Sequence, residues 1–228
     1  MRREVRATLR VKAVPEPAFT ELEELWHALT HGAGAVLGLF ALLALSLKAW
    51  DASPSAYWAT ITYASALVLV FASSTACHSL SRSKYALWFE MADHIAIFLM
   101  IAGTYTPVAV IVLPQPLGTQ MLTAIWSSAA AGIAFKVVTY AMGWQERVRT
   151  LSVLVFLATG WVGLLAAAEI YEALSPEGWA WFCGGAALYT VGAGVYSLRT
   201  MPWSHLLWHF LILAAAACHF VAIYLYVI

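Results

Sequence analysis

The sequence predicts an all-α integral membrane protein of seven transmembrane helices, with the N-terminus cytoplasmic and the C-terminus outside. Composition is the first reason. Of 228 residues, 62% are hydrophobic and only 11% charged. An ordinary soluble domain is near 45–50% apolar and about 25% charged, so these charges are too few to cover a globule in water. The second reason is seven apolar stretches, each long enough to cross roughly 30 Å of hydrocarbon, which takes about 17–25 residues. The third is that the basic residues gather at alternate ends of those stretches. The 12 basic and 12 acidic residues cancel, which excludes the basic surface of a nucleic-acid binder.

In chain order, residues 1–26 form a charged N-terminal segment. It lacks the apolar core and small-residue cleavage site of a secretory signal, so no signal peptide is expected. Thr20-Glu21-Leu22-Glu23 fits a capping box. Phe19, Leu22, Leu25 and Trp26 then line a short amphipathic helix expected at the membrane interface. Residues 27–228 form the membrane domain, with spans expected at His31–Trp50, Ala56–His78, Asp93–Leu113, Leu117–Thr139, Thr150–Ile170, Trp179–Leu198 and His205–Ile228. Backbone groups in lipid must be satisfied internally and period-two strand patterning is absent, so these are helices. Pro54, Pro114, Pro116, Pro176 and Pro202 mark the connections, and Pro107 is expected to kink the third span. Gly34 and Gly38 in the first span favour close helix packing, as do Gly184, Gly185, Gly192 and Gly194 in the sixth. Cys77, Cys183 and Cys218 are odd in number and show no CxxC pattern, which reads as small apolar residues.

Orientation follows from the excess of Lys and Arg in cytoplasmic segments. Arg2, Arg3, Arg6, Arg10 and Lys12 precede the first span. Arg82 and Lys84 lie in the second connection, Arg147 and Arg149 in the fourth and Arg199 in the sixth, with Lys136 at the same end of its span. Only Lys48 lies on the other side. Lys136 and Glu169 read as side chains that snorkel from span ends.

Ionisable residues inside spans are costly, which makes each a candidate for function. With this topology His27, His31, His78, His94, His205 and His209, together with Asp93, share the cytoplasmic side, while His219 lies apart. His205 and His209 are four apart on one helix face, as are Ser74 and His78. Three imidazoles with one open position describe a catalytic zinc site, and nitrogen donors favour zinc over calcium or magnesium. Spacing alone does not choose His78, His205 and His209 over a set that uses His27 and His31.

Several stretches carry a family resemblance: Thr30-His31-Gly32, Ser73-Ser74-Thr75-Ala76-Cys77-His78-Ser79, Asp93-His94-Ile95 running on to Gly103-Thr104-Tyr105-Thr106-Pro107, and Ser204-His205-Leu206-Leu207-Trp208-His209. In this order they resemble the haemolysin III family, bacterial relatives of the adiponectin and progestin (PAQR) receptors. The resemblance implies a zinc ion near the cytoplasmic side held by His78, His205 and His209. It makes Asp93 a partner of the attacking water and Ser74 a residue one turn before the first ligand. Where the family motif before the first span carries Asn, this chain has His27, expected to stand in as a polar cap.

The function this implies is a zinc-dependent hydrolase of a lipid amide or ester in the cell's inner (plasma) membrane, with Asp93 and Ser74 as catalytic residues. The substrate is a membrane lipid or lipid-derived molecule. The alternative is a non-enzymatic, receptor-like regulator of membrane lipid state with a structural zinc. A pore-forming cytolysin ranks behind both, because no polar stripe runs the length of a span. The sequence names no protein partner.

Overall fold

Thr20 starts the first helix through a complete capping box. Its hydroxyl accepts from the Glu23 N–H at 3.3 Å and the Glu23 carboxylate accepts from the Thr20 N–H at 2.9 Å, so two otherwise orphaned donors are satisfied together. From there α1 runs unbroken over Glu21–Lys48. The short interfacial helix expected around Phe19–Trp26 is therefore the first turns of α1 and not a separate element. Ser53 and Ser175 each cap a later helix with the side-chain half of this motif alone, accepting from the N–H of Ala56 and of Gly178, and each is followed by a proline at the first helical position.

The computed structural model describes residues 19–198 and 200–228. Arg2, Arg3, Arg6, Arg10, Lys12 and Arg199, which weigh heavily in the expected orientation, lie outside the described residues. The described residues form seven long helices and no strand: α1 Glu21–Lys48, α2 Pro54–Ser79, α3 Ala86–Val112, α4 Leu117–Met142, α5 Arg149–Ala173, α6 Pro176–Tyr196 and α7 Ser204–Tyr226. Two are irregular inside. After Pro107 removes an N–H donor, α3 widens into a π turn over Val108–Val112. α5 tightens to a 3₁₀ segment over Trp161–Ala166.

Six of the helices, all but α6, are long and apolar enough to cross a membrane. α6 has the length, at 21 residues, but its glycines, Trp and Tyr dilute the aliphatic content. The outward faces are apolar: Leu37, Phe40, Leu43 and Leu47 on α1 all stand well exposed, as a lipid-facing stripe requires. These helices are those of a multi-pass membrane protein.

α1 packs against α2 and α7, α2 against α3, α3 against α4, and α6 against α7. Gly34 lets α1 approach both of its neighbours: a Cβ there would stand 2.9 Å from the Phe71 ring of α2 and 2.7 Å from Leu213 of α7. Of the four glycines expected to pack α6, Gly185 and Gly192 face α7, whereas Gly184 and Gly194 meet open space. The three cysteines are unpaired and half-buried.

Candidate metal centre

The first turns of α1 present a buried polar stripe. Glu24, His27, Thr30 and His31 recur at helical spacing, and all four are buried, His27 completely. The last turns of α2 add Ser74 and His78, also buried. The start of α7 adds half-buried His205 and fully buried His209. Short connections make neighbouring helices antiparallel, so the start of α1, the end of α2 and the start of α7 meet at one end of the bundle.

The histidines meet closely there. The ring centroids of His78, His205 and His209 lie 4.8–5.1 Å apart, so the three imidazoles expected from the resemblance do come together. His27 joins them, at 4.8 Å from His78, 4.5 Å from His205 and 5.2 Å from His209. The donor atoms of His27, His78 and His205 all lie within 4.8 Å of one another and can hold a metal ion. His78 Nε2 and His205 Nε2 are 3.2 Å apart, close to the edge of about 3.3 Å of a tetrahedron built on bonds of about 2.0 Å.

The surroundings set the tautomers. His78 Nδ1 lies 2.6 Å from Glu24 Oε2, so Nδ1–H donates to the carboxylate and the Nε2 lone pair points into the cluster. Thr30 donates its hydroxyl hydrogen to the carbonyls of Trp26 and His27, at 2.9 and 3.0 Å. Its oxygen is left to accept from His209 Nδ1–H at 3.1 Å, which frees the His209 Nε2 lone pair as well. Outer partners of this kind are what orient metal-ligating imidazoles.

Both nitrogens of His27, Nε2 of His31 and Nε2 of His209 are buried without a hydrogen-bond partner among the described residues. Leaving one buried polar atom unsatisfied costs about 1–3 kcal/mol. Four in one place are hard to sustain without a ligand, and a divalent metal would satisfy His209 Nε2 and one nitrogen of His27.

Ser74 links this cluster to α3. Its hydroxyl lies 2.7 Å from His31 Nδ1, and Asp93 of α3 lies near both Ser74 and His78. Behind Asp93 stands buried Lys136, whose Nζ donates to Ser152 Oγ at 3.2 Å.

This geometry belongs to a known sequence class. A family model described as haemolysin-III related matches residues 19–220. The chain is a member of that family. It is 36% identical over 207 residues to Hemolysin-3 of Bacillus cereus, covering 90% of this chain and 92% of the relative. It is 34% identical over 211 residues to the Hemolysin-3 homolog of Bacillus subtilis (strain 168), covering 91% and 96%. The human monocyte to macrophage differentiation factor is 29% identical over 178 residues, covering 74% and 71%, which relates this haemolysin III protein to the PAQR type.

Several expected placements change in this family member. His27 is not a polar cap: Thr20 caps α1, and His27 lies two turns inside it. His94 leaves the histidine group for α4, with Nδ1 2.7 Å from the Tyr140 hydroxyl. Lys136 does not snorkel. It is only 3% exposed, because Ser152 and the rings of Tyr140 and Phe156 receive it inside the bundle. His219 stays apart as expected, with Nε2 donating to the Phe182 carbonyl at 3.0 Å. Glu24 escaped the sequence reading, and Thr30 entered it only within the Thr30-His31-Gly32 stretch, with no role given. The signal was present in the helical spacing of Glu24, His27, Thr30 and His31, but spacing does not say what that face meets.

Proposed function

We propose that this haemolysin III-related protein is a zinc-dependent hydrolase of a membrane-lipid amide or ester, acting at the cytoplasmic end of a seven-span bundle in the cell's inner (plasma) membrane. One observation carries the reading. A metal-ready histidine cluster lies beside the buried hydroxyl of Ser74 and the half-buried carboxylate of Asp93, at one end of a bundle whose outward faces are apolar. His78, His205 and His209 would hold the zinc, and their all-nitrogen set suits that ion. Bound there, zinc would acidify a water and polarise the scissile carbonyl.

The chain's own residues supply the rest. Asp93 accepts the proton of the attacking water and returns it to the leaving amine or alcohol. Ser74 holds the carboxylate in place and passes its position on to His31. Glu24 and Thr30 fix the ring orientations of His78 and His209.

The test is fatty-acid release from a panel of ceramides, N-acyl amides and phospholipids by zinc-loaded protein. Asp93→Asn should lower turnover about 10²- to 10⁴-fold while metal content and thermal stability hold. No release from any substrate by the wild type removes the enzymatic reading. The second reading, a non-enzymatic regulator with structural zinc, draws on the joining of α1, α2 and α7 by four histidine rings. It expects metal removal to lower the melting temperature and Asp93→Asn to change nothing.

A further inference from the structure

Resting on the metal-centre reading above, we infer that His27 is a fourth ligand, so that the resting centre is a closed four-imidazole site and His27 is the ligand that must leave before a substrate oxygen or water can bind. The donor atoms of His27, His78 and His205 lie within 4.8 Å of one another, and the ring of His209 completes a spacing that matches a tetrahedron. With bonds of about 2.0 Å, four imidazoles at the corners of a tetrahedron have ring centroids roughly 5 Å apart. All six pairs among His27, His78, His205 and His209 fall between 4.5 and 5.2 Å.

His31 does not compete for this place. It lies flat on His209, with centroids 3.5 Å apart and planes at 6°, and two rings stacked face to face cannot aim lone pairs at one ion from separate corners. Its Nδ1 is also held by Ser74.

His27 differs from its neighbours in what holds it. His78 is braced by Glu24 and His209 by Thr30, while half-buried His205 leaves no buried nitrogen without a partner. Neither nitrogen of His27 has a hydrogen-bond partner among the described residues, and outside the histidine group its ring meets the edge of Phe19, at 4.9 Å. An unbraced ligand costs least to displace, since no outer hydrogen bond breaks when it swings away. A zinc site built for hydrolysis keeps its fourth position for water. Here His27 occupies that position and makes access to the metal conditional.

X-ray absorption at the zinc edge of purified, metal-loaded protein decides the matter. Wild type should show four imidazole nitrogens. His27→Asn, the residue of the family pattern, and His27→Gln should show three nitrogens and one oxygen. In cobalt-substituted protein, azide should leave the visible d–d bands of wild type unchanged at concentrations that shift those of either variant. Three nitrogens and one oxygen in wild type overturn the inference, whatever the variants do, and leave the hydrolase reading standing. Wild-type protein that retains no stoichiometric metal overturns both.

Discussion

Replacing Glu24 by Gln keeps the size and the hydrogen bond of the carboxylate but takes away its charge. The bond it alters is the 2.6 Å contact to His78 Nδ1, made between side chains that are only 10% and 8% exposed. A hydrogen bond to a charged group contributes about 1.5–3 kcal/mol, roughly twice a neutral one. Loss of such a partner typically weakens metal binding 10–100-fold, which is about 1.4–2.8 kcal/mol at 1.4 kcal/mol per tenfold. Because the amide keeps roughly half of the charged bond's contribution, the bond itself accounts for about 0.8–1.5 kcal/mol, the low end of this range. Glu24→Gln should therefore bind zinc about tenfold more weakly in competition against a chromogenic chelator in detergent. The fold should remain, because the neutral amide still accepts from Nδ1–H. An affinity within twofold of wild type would refute the reasoning, since His78 would then not be a ligand oriented by Glu24.

Three further substitutions test other parts of the structure. Ser74→Ala removes the hydroxyl that meets His31 Nδ1 and leaves that buried nitrogen short of a partner. Stability should fall by about 1–3 kcal/mol and turnover should drop with metal content unchanged, so unaltered melting and turnover would sink the proposed link. Gly132→Ala drives a methyl into the ring of fully buried Phe98. Overpacking of that kind costs about 1–3 kcal/mol, read as a lower melting temperature in size-exclusion chromatography, and an unchanged value would contradict the close approach of α3 and α4. His219→Leu loses the bond to the Phe182 carbonyl and should cost about 1 kcal/mol with metal stoichiometry intact. Metal loss in that variant would place His219 in the centre, against the geometry.

Much of the site was legible one helix at a time. His205 with His209, and Ser74 with His78, are pairs set by the 3.6-residue turn, and both pairs meet at the site. The resemblance then selected Asp93, which lies near Ser74 and His78. His27, Lys136 and His94 were harder, because their roles depend on what faces them. Lys136 looked like a side chain near a span end, free to reach water, yet Ser152 of α5, sixteen residues away, receives it inside the bundle. His94 adjoins Asp93 in sequence, but consecutive helical residues diverge by about 100°, which sends its ring to Tyr140.

The sequence by itself determined the environment and the helices. Burial in lipid forces hydrogen bonds within each segment, and an apolar stretch of sufficient length has no alternative to a helix. It also determined which residues share a face, since helical phase is local. Only the tertiary structure decided which faces meet. The rotation of each helix about its axis is settled by packing between neighbours such as α1 and α7, whose contacting residues Thr30 and His209 are 179 positions apart. That packing brought Glu24 to His78 and placed His27 as the fourth ring against three others.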